Sequence, residues 1–136
     1  MSDLNKAMHI AASGMLAQNV RVRVISQNIA NADSLATAPG QDPYRRQTVS
    51  FREEMNRALG AKVVKVGEIG IDKTNFESRL DPGHPAADEN GYVKLPNVKP
   101  MIEMVDLRAA QRSYQANLRV VDVARTMVSR TLELLQ

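Results

Sequence analysis

Apolar residues in the N-terminal segment recur at alternating steps of four and three positions, and Gln18 is the one polar residue on this line. That spacing is typical of one face of a coiled-coil helix and differs from the alternation of a strand. It predicts a helix within residues 1–34, with Ser2 as its N-cap. The Asn, Asp and Ser residues of 31–34 favour local side-chain hydrogen bonds over continuation of the helix. The line consists of Leu4, Met8, Ala11, Met15, Gln18, Val22, Ile25, Ile29 and Ala32.

The C-terminal segment has the same spacing, and it contains neither proline nor glycine after Pro100, a residue suited to the first turn of a helix. A second apolar line lies on an adjacent face of the predicted helix, so one partner helix cannot cover both. The first line consists of Met104, Leu107, Gln111, Tyr114, Leu118, Val121, Arg125, Val128, Leu132 and Leu135. The second consists of Ala116, Val120, Val123, Met127 and Leu134.

The predicted C-terminal helix is too long for a globule made by this chain alone. A helix over residues 101–136 would measure about 54 Å, whereas a compact domain of this size is roughly 35–40 Å across. Packing into its own bundle is the usual fate of an amphipathic helix, but this length argues against it. We therefore expect an elongated, coiled-coil-like antiparallel pair of terminal helices whose outer faces pack against other subunits.

The middle of the chain differs, because all six prolines and six of the seven glycines lie between residues 39 and 100. Short β-branched or aromatic runs predict strands, Asn90-Gly91 predicts a turn, and the four aromatic residues there predict a minor local core. The expected strands are Thr48–Phe51, Lys62–Val66 and Tyr92–Leu95, with a short helix over Arg52–Leu59 ended by Gly60. The aromatic residues are Tyr44, Phe51, Phe76 and Tyr92.

These patterns together predict an α+β fold in which a small β-rich module is inserted between two long helices. The expected segments are an N-terminal helix in 1–34, a middle module in 35–98 with a flexible linker at 35–42, and a C-terminal helix in 99–136. The net charge of +3 is spread over the chain without a basic block, which argues against nucleic acid as a partner. The absence of cysteine excludes a disulfide scaffold and a thiolate site. We expect neither a membrane span nor a cleaved signal peptide.

Candidate chemistry is sparse along the chain. His9 lies beside the apolar line of a helix, and His84 lies in a string of turn residues, so packing or loop structure explains each better than metal binding. Glu53 and Glu54 would diverge by about 100° on a helix and would not form a carboxylate pair. We therefore expect no catalytic residue, no cofactor, no metal site and no small-molecule substrate.

Three regions of the sequence, near the N-terminus, in the middle and near the C-terminus, resemble the bacterial flagellar basal-body rod proteins, most closely those of the proximal rod. The N-terminal stretches are similar to the signature shared by rod, hook and related axial proteins. The middle stretches are similar to those particular to the proximal-rod protein. The quoted residues are 12–15 (ASGM), 26–33 (SQNIANAD), 43–47 (PYRRQ), 81–93 (DPGHPAADENGYV), 103–107 (EMVDL) and 112–117 (RSYQAN). The motif positions that carry the resemblance are Asn28, Ile29, Ala30, Asn31, Tyr44, Arg45, Arg46, Tyr114, Ala116 and Asn117.

The resemblance implies a structural subunit that polymerises with copies of itself and with other rod proteins. Such proteins form the drive shaft that crosses the periplasm and carries motor torque to the hook and filament. Their terminal helices line the inner tube, their middle module faces outward, and the flagellar type III apparatus exports them without a cleaved signal. Gln18, Gln111 and Arg125 would either set the register between neighbours or face solvent or the tube lumen.

We expect the large apolar residues of the two helices to form the subunit interfaces. They are Leu4, Met8, Met15, Val22, Ile25, Ile29, Met104, Leu107, Tyr114, Leu118, Val121, Val128, Leu132 and Leu135. The main alternative is a cytoplasmic helical adaptor or chaperone that forms its own dimer. A weakly basic DNA-binding oligomer is the other alternative, and the balanced charges disfavour it.

Overall fold

The computed structural model describes residues 2–136 and confirms the α+β fold class, with two long helices flanking a module of two two-stranded antiparallel sheets. The helices have 28 and 35 residues, which correspond to about 42 and 52 Å. The elements in chain order are α1 (Asp3–Ala30), β1 (Gln47–Asn56), β2 (Ala61–Ile71), β3 (Ser78–Leu80), β4 (Tyr92–Lys94) and α2 (Pro100–Leu134).

The helix ends have the capping interactions that the sequence predicts. The Ser2 hydroxyl accepts a hydrogen bond from the backbone N–H of Asn5 at 3.3 Å, which confirms the N-cap. At the other end of α1, the Asn31 side chain donates to the Gln27 carbonyl at 2.9 Å, and the Ser34 hydroxyl donates to the Asn31 side chain at 3.0 Å. Local side-chain hydrogen bonds therefore end α1, as expected, and α2 begins at Pro100.

Two of the three predicted strands are longer in the structure than the sequence patterns indicate, and the third is one residue shorter. The predicted strands at 48–51 and 62–66 lie inside β1 and β2, and the predicted strand at 92–95 is β4. β4 pairs with β3, a short strand that the sequence did not reveal, in the register Ser78↔Lys94, Arg79↔Val93, Leu80↔Tyr92. Gly91, at φ +82°, forms the turn before β4, which confirms the prediction at Asn90-Gly91.

The predicted helix over Arg52–Leu59 is wrong, because β1 continues to Asn56 and a tight turn leads into β2. The Asn56 side chain accepts the backbone N–H groups of Ala58 and Leu59 at 3.1 and 3.2 Å, and Gly60 adopts a left-handed φ of +64°. Gly60 was expected to end that helix, whereas in the structure it closes the turn of a hairpin. Cross-strand ion pairs to β2 favour the extended form of this segment.

The chain packs as two compact units, each of which contains parts of both helices. The first comprises the chain up to Val22, Val49–Glu68 and the chain from Arg108 on; its buried apolar residues are Ala11, Ala17, Leu59, Val63, Ala110 and Ala124. The second comprises Arg23–Thr48 and Ile69–Leu107; its buried residues include Val24, Ile25, Asn28, Val93, Val98 and Glu103.

The predicted aromatic core is absent, because none of Tyr44, Phe51, Phe76 and Tyr92 is buried. Short aliphatic side chains fill the two cores instead. Phe76 lies under the guanidinium of Arg45, whose carbon is 4.1 Å from the ring centroid, and the Tyr44 hydroxyl is used as a hydrogen-bond donor. The aromatic residues therefore cover polar neighbours at the periphery of the module.

Candidate functional site

The two helices of the first unit contact each other through small residues. Ala11 and Ala17 of α1 and Ala110 and Ala124 of α2 are all at most 5% exposed. A Cβ placed on Gly14 would lie 2.7 Å from the side-chain nitrogen of Asn117, so glycine permits a close approach there. Small residues at a helix contact let the backbones come close, but they remove little apolar surface from water.

The helices run antiparallel within this unit, as the sequence predicts. Gly14 lies against Asn117, whereas Leu4, which is earlier in α1, shares a groove with Val123 and Met127, which are later in α2. The groove has a volume of about 310 Å³ and is almost entirely apolar. An open apolar groove on a helix pair is a surface that water covers only at a cost in free energy.

The large apolar residues of α2 lie mostly outside this contact. Leu118, Val120, Val123, Met127, Leu132, Leu134 and Leu135 are between 41% and 87% exposed. Val120, Val123, Met127 and Leu134 belong to the second apolar line that the sequence shows. The fully buried apolar residues of the two helices in this unit are all alanines, whereas these seven larger side chains of α2 are exposed, which is the inverse of an ordinary helical hairpin.

The residues expected at subunit interfaces occupy three kinds of position. Ile25 is buried within the chain, so its own fold already covers it. Met104, Leu118, Leu132 and Leu135 are exposed. The rest are half-buried: Leu4, Met8, Met15, Val22, Ile29, Leu107, Tyr114, Val121 and Val128.

Several exposed apolar residues were not on the expected list. Leu16, Met101, Ile102 and Val105 are all more than half exposed. Leu16 follows Met15 on α1, and the other three flank the first residue of the predicted α2 line. A search for apolar residues on every face of the two helices would have found them, whereas a search for one line per helix does not.

A buried polar junction lies in the second unit, centred on Asn28, whose side chain is fully buried. Its oxygen accepts the hydroxyl of Tyr44 at 2.8 Å and the backbone N–H of Gln47 at 2.9 Å. Its nitrogen donates to the carbonyl of Gln47 at 2.9 Å and to a carboxylate oxygen of Glu103 at 3.4 Å. The amide therefore pairs with both backbone groups of the first residue of β1, as a neighbouring strand would, and its hydrogen-bonding capacity is full.

Glu103 is the acidic member of this junction and is only 1% exposed. Arg46 donates from Nε to its second carboxylate oxygen, and the Arg46 guanidinium also lies 3.5 Å from Asp72 and 4.0 Å from Asp106. A buried carboxylate requires such a partner, because an unpaired charge in the interior is strongly unfavourable.

A second layer of hydrogen bonds holds Arg46 in place. The Asn97 side chain accepts the backbone N–H of Arg46 at 2.7 Å and donates to the carbonyl of Asp72 at 2.9 Å. Arg45 donates to the carbonyls of Asp72 and Thr74, both at 3.0 Å. The segment before β1 is thus tied to the segment after β2 by side chains as well as by the strand ladder.

The ionisation of the junction follows from these contacts. Burial, and then the charge of Glu103, raise the pKa of Tyr44, so the hydroxyl stays protonated as a donor. Burial acts to lower the pKa of Arg46, but the hydrogen bond and charge of Glu103, together with Asp72, outweigh it and raise that pKa. The backbone N–H and then the side chain of Thr74 lower the pKa of Asp72, and Arg46 adds to this effect.

The junction brings together only part of the motif that carries the family resemblance. Asn28, Tyr44 and Arg46 meet there, and Arg45 lies in the adjoining layer. Glu103, Asn97 and Asp72 complete the arrangement, although sequence reasoning gave them no role. Elsewhere on the helices lie Ile29, Ala30, Tyr114, Ala116 and Asn117, and Asn31 lies in the turn that follows α1.

The other candidate groups have local roles. His9 is exposed, and the His84 ring nitrogen accepts the backbone N–H of Ala86 at 3.0 Å, as expected of a turn residue. Gln111 and Arg125 are exposed, whereas the side-chain oxygen of Gln18 is buried without a hydrogen-bond partner. Within residues 2–136 there is no group of three or more His, Asp or Glu side chains placed to hold a metal ion.

Neither α1 nor α2 contains an apolar stretch of the length and hydropathy needed to span a bilayer, and this holds for every helix in the part of the chain that the structure describes.

Comparison with known proteins gives a consistent result along the chain. The family model described as flagella basal body rod protein matches residues 8–34, and the model described as flagellar basal body rod FlgEFG protein C-terminal matches residues 89–134. The flagellar basal-body rod protein FlgC of Agrobacterium fabrum is 49% identical over 136 residues, covering 100% of this chain and 98% of that protein. The FlgC of Salmonella typhimurium is 41% identical over 125 residues, 92% of each chain. The FlgC of Borreliella burgdorferi is 35% identical over 150 residues, 98% of each chain.

Proposed function

Since this chain belongs to the flagellar basal-body rod protein family, of the FlgC type, we propose that it joins the rod through the apolar side chains that its own fold leaves exposed. The family is a structural component of the flagellum, and the chain is a structural rod subunit. The proposal concerns how it assembles and what its parts do.

The inverted burial in the first unit carries this proposal. A helix pair that buries alanines and exposes leucine, valine and methionine removes little apolar surface from water by itself. A second layer of protein on the outer face of α2 would remove the rest. The two apolar lines of α2 lie on different faces, so we propose neighbours on more than one side, drawn from copies of this chain and from other rod proteins.

The expected interface residues fit this assignment in different degrees. Leu118, Leu132 and Leu135 are exposed in the chain, so we assign them to subunit contacts. The half-buried members of the expected set keep part of their surface exposed, so one side chain can touch both its own chain and a neighbour. Ile25 is covered by its own chain, and we propose no direct subunit contact for it.

The proposed mechanism is mechanical. We propose that the segments 1–34 and 99–136 form the axial part of the subunit and that 35–98 forms an outward module, with 35–42 as its linker. Many apolar contacts, each repeated in every subunit, would then carry motor torque along the rod to the hook and filament. We propose no enzymatic activity, nucleic acid partner or small-molecule substrate.

The location and the route to it are also proposals. A rod subunit works in the periplasmic part of the basal body, and we propose that the chain reaches it through the flagellar type III export apparatus without removal of a signal. The family resemblance supports this route.

Leu132→Asp tests the assembly surface. Leu132 is exposed in the chain, so a carboxylate there leaves the fold intact but would be buried in the proposed interface. In cells whose only copy carries Leu132→Asp, we expect normal accumulation of the chain, no rod incorporation in purified basal bodies, and no swimming in soft agar. Thr126→Asp, at an exposed polar position about 120° around the helix from Leu132, is the matched control and should swim.

Normal swimming and incorporation of Leu132→Asp would contradict the assembly surface. Absence of the unmodified chain from purified basal bodies would contradict the rod assignment itself. A discrete dimer that stays in the cytoplasm would favour the adaptor.

A further inference from the structure

In the first two turns of α2, the side chain that is buried is a carboxylate and not an apolar group. Among Pro100–Leu107, Glu103 is the one buried residue. Met101, Ile102, Met104 and Val105, which surround it on the helix, are 46–74% exposed. A helix that turned its most apolar face inward would show the opposite arrangement.

Apolar burial alone would favour a different rotation of this segment. Successive residues of an α-helix are about 100° apart, so Ile102 and Met104 lie on either side of Glu103. A rotation by one position in either direction would bury one of these side chains and release the carboxylate to water. Burying an apolar side chain and exposing the carboxylate to water are both favourable, so the burial of Ile102 or Met104 does not explain the rotation of the helix that is observed.

The hydrogen-bond partners of Glu103 explain the observed rotation of the helix. One carboxylate oxygen accepts from Arg46 and the other from Asn28, so both are occupied. Asn28 is itself fixed by the two backbone groups of Gln47 and by Tyr44. A rotated α2 would leave the buried amide of Asn28 with an unused donor and Arg46 without its nearest anion.

We infer that Glu103, held by Arg46 and Asn28, is a positioning residue that sets the rotation of Pro100–Leu107 and keeps its apolar side chains outward for a neighbouring rod subunit. This inference rests on the proposed function, because it assigns the outward side chains to subunit contacts. A buried ion pair used in this way contributes more to the choice of arrangement than to stability.

Replacing the ion pair by apolar side chains separates orientation from stability. Arg46→Met combined with Glu103→Met removes both charges and keeps the length and unbranched shape of the side chains. We expect the double variant to accumulate and be exported like the unmodified chain, yet to be missing from purified basal bodies and to fail to swim. The matched control is Glu53→Met with Lys62→Met, which removes an exposed ion pair of 3.0 Å and should still swim.

Cysteine labelling reports the rotation directly, because the chain contains no cysteine. In the purified chain, Ile102→Cys and Met104→Cys should both react readily with a maleimide. In the double methionine background, one of the two sites should be labelled more slowly by tenfold or more.

Three outcomes would overturn the inference: swimming of the double methionine variant, its failure to accumulate, or equal labelling in both backgrounds. Failure to accumulate would make the junction a plain contributor to stability. Each of these is distinct from failure of the proposed function, which Leu132→Asp reports.

Discussion

Replacing Asn28 by leucine should destabilise the chain severely, although the two side chains have similar size and shape. Leucine removes the partner of the Gln47 N–H and of the Gln47 carbonyl, at a site where the Asn28 side chain is 0% exposed. A buried polar group left without a partner costs about 1–3 kcal/mol, so the two groups together cost about 2–6 kcal/mol. We take about 3 kcal/mol as the expected loss, a large share of the roughly 5–15 kcal/mol that stabilises a typical protein.

Urea unfolding of the purified chain, followed by far-ultraviolet circular dichroism, measures this loss. With a urea m-value of about 2 kcal/mol per molar, a loss of about 3 kcal/mol lowers the midpoint by about 1.5 M. Asn19→Leu is the control, because Asn19 lies on the same helix at an exposed position and should change stability by less than about 0.5 kcal/mol. Tyr44→Phe deletes a single donor to Asn28 and should cost about 1 kcal/mol.

We therefore expect the urea midpoint to be lowest for Asn28→Leu, intermediate for Tyr44→Phe and highest for Asn19→Leu. If Asn28→Leu and Asn19→Leu unfolded at the same urea concentration, the amide of Asn28 would not be pairing with Gln47 in solution.

Two further variants probe other parts of the chain. Gly14→Leu should destabilise the helix contact by about 1–3 kcal/mol through overpacking, because even a Cβ at Gly14 would lie 2.7 Å from the Asn117 side chain. Adding Asn117→Ala to this variant should recover part of the lost urea midpoint. If it recovers nothing, the strain lies elsewhere. Because Thr74 and Arg46 lower the pKa of Asp72 in the fold, its contribution to stability is present above the unfolded value of 3.8 and is lost as the pH falls through the folded value. Asp72→Asn should therefore flatten the decline of thermal stability below about pH 4, and an unchanged decline would contradict the lowered pKa of Asp72, which the hydrogen bonds from Thr74 produce first and Arg46 second.

The helices were predictable from the sequence because their apolar periodicity is a local property. The same patterns indicate which residues could face a partner helix, but they point to large apolar side chains more than to small ones. The buried apolar residues of the two helices in the first unit are Ala11, Ala17, Ala110 and Ala124, and only a close fit of the backbone, as at Gly14 and Asn117, makes such small residues the interior. That fit depends on both helices at once and cannot be read from either one.

The hairpin was missed for a related reason. Residues 52–54 are Arg, Glu and Glu, which favour a helix on intrinsic propensity. Their partners are Lys62 and Lys65 on β2, and cross-strand ion pairs are invisible until the two strands are placed side by side. Tertiary context overrode the local preference.

Only part of the junction could be predicted from the sequence. The family resemblance drew attention to Asn28, Tyr44 and Arg46, but it did not say that they meet. Glu103 lies 57 residues from Arg46 and 75 from Asn28 in sequence, and it is the first acidic residue of an ordinary-looking helix. Nothing in its immediate neighbours indicates burial, so only the folded chain shows it.

The double pairing of Asn28 with one backbone residue restricts which amino acids can occupy that position. Aspartate has the reach but no donor for the Gln47 carbonyl, leucine and alanine have neither donor nor acceptor, and glutamine is one methylene too long for both contacts. Serine and threonine offer a single oxygen where two atoms are needed. Each of these substitutions of Asn28 thus loses at least one contact. Selection should therefore tolerate variation at position 28 far less than at the exposed Asn19 nine residues earlier.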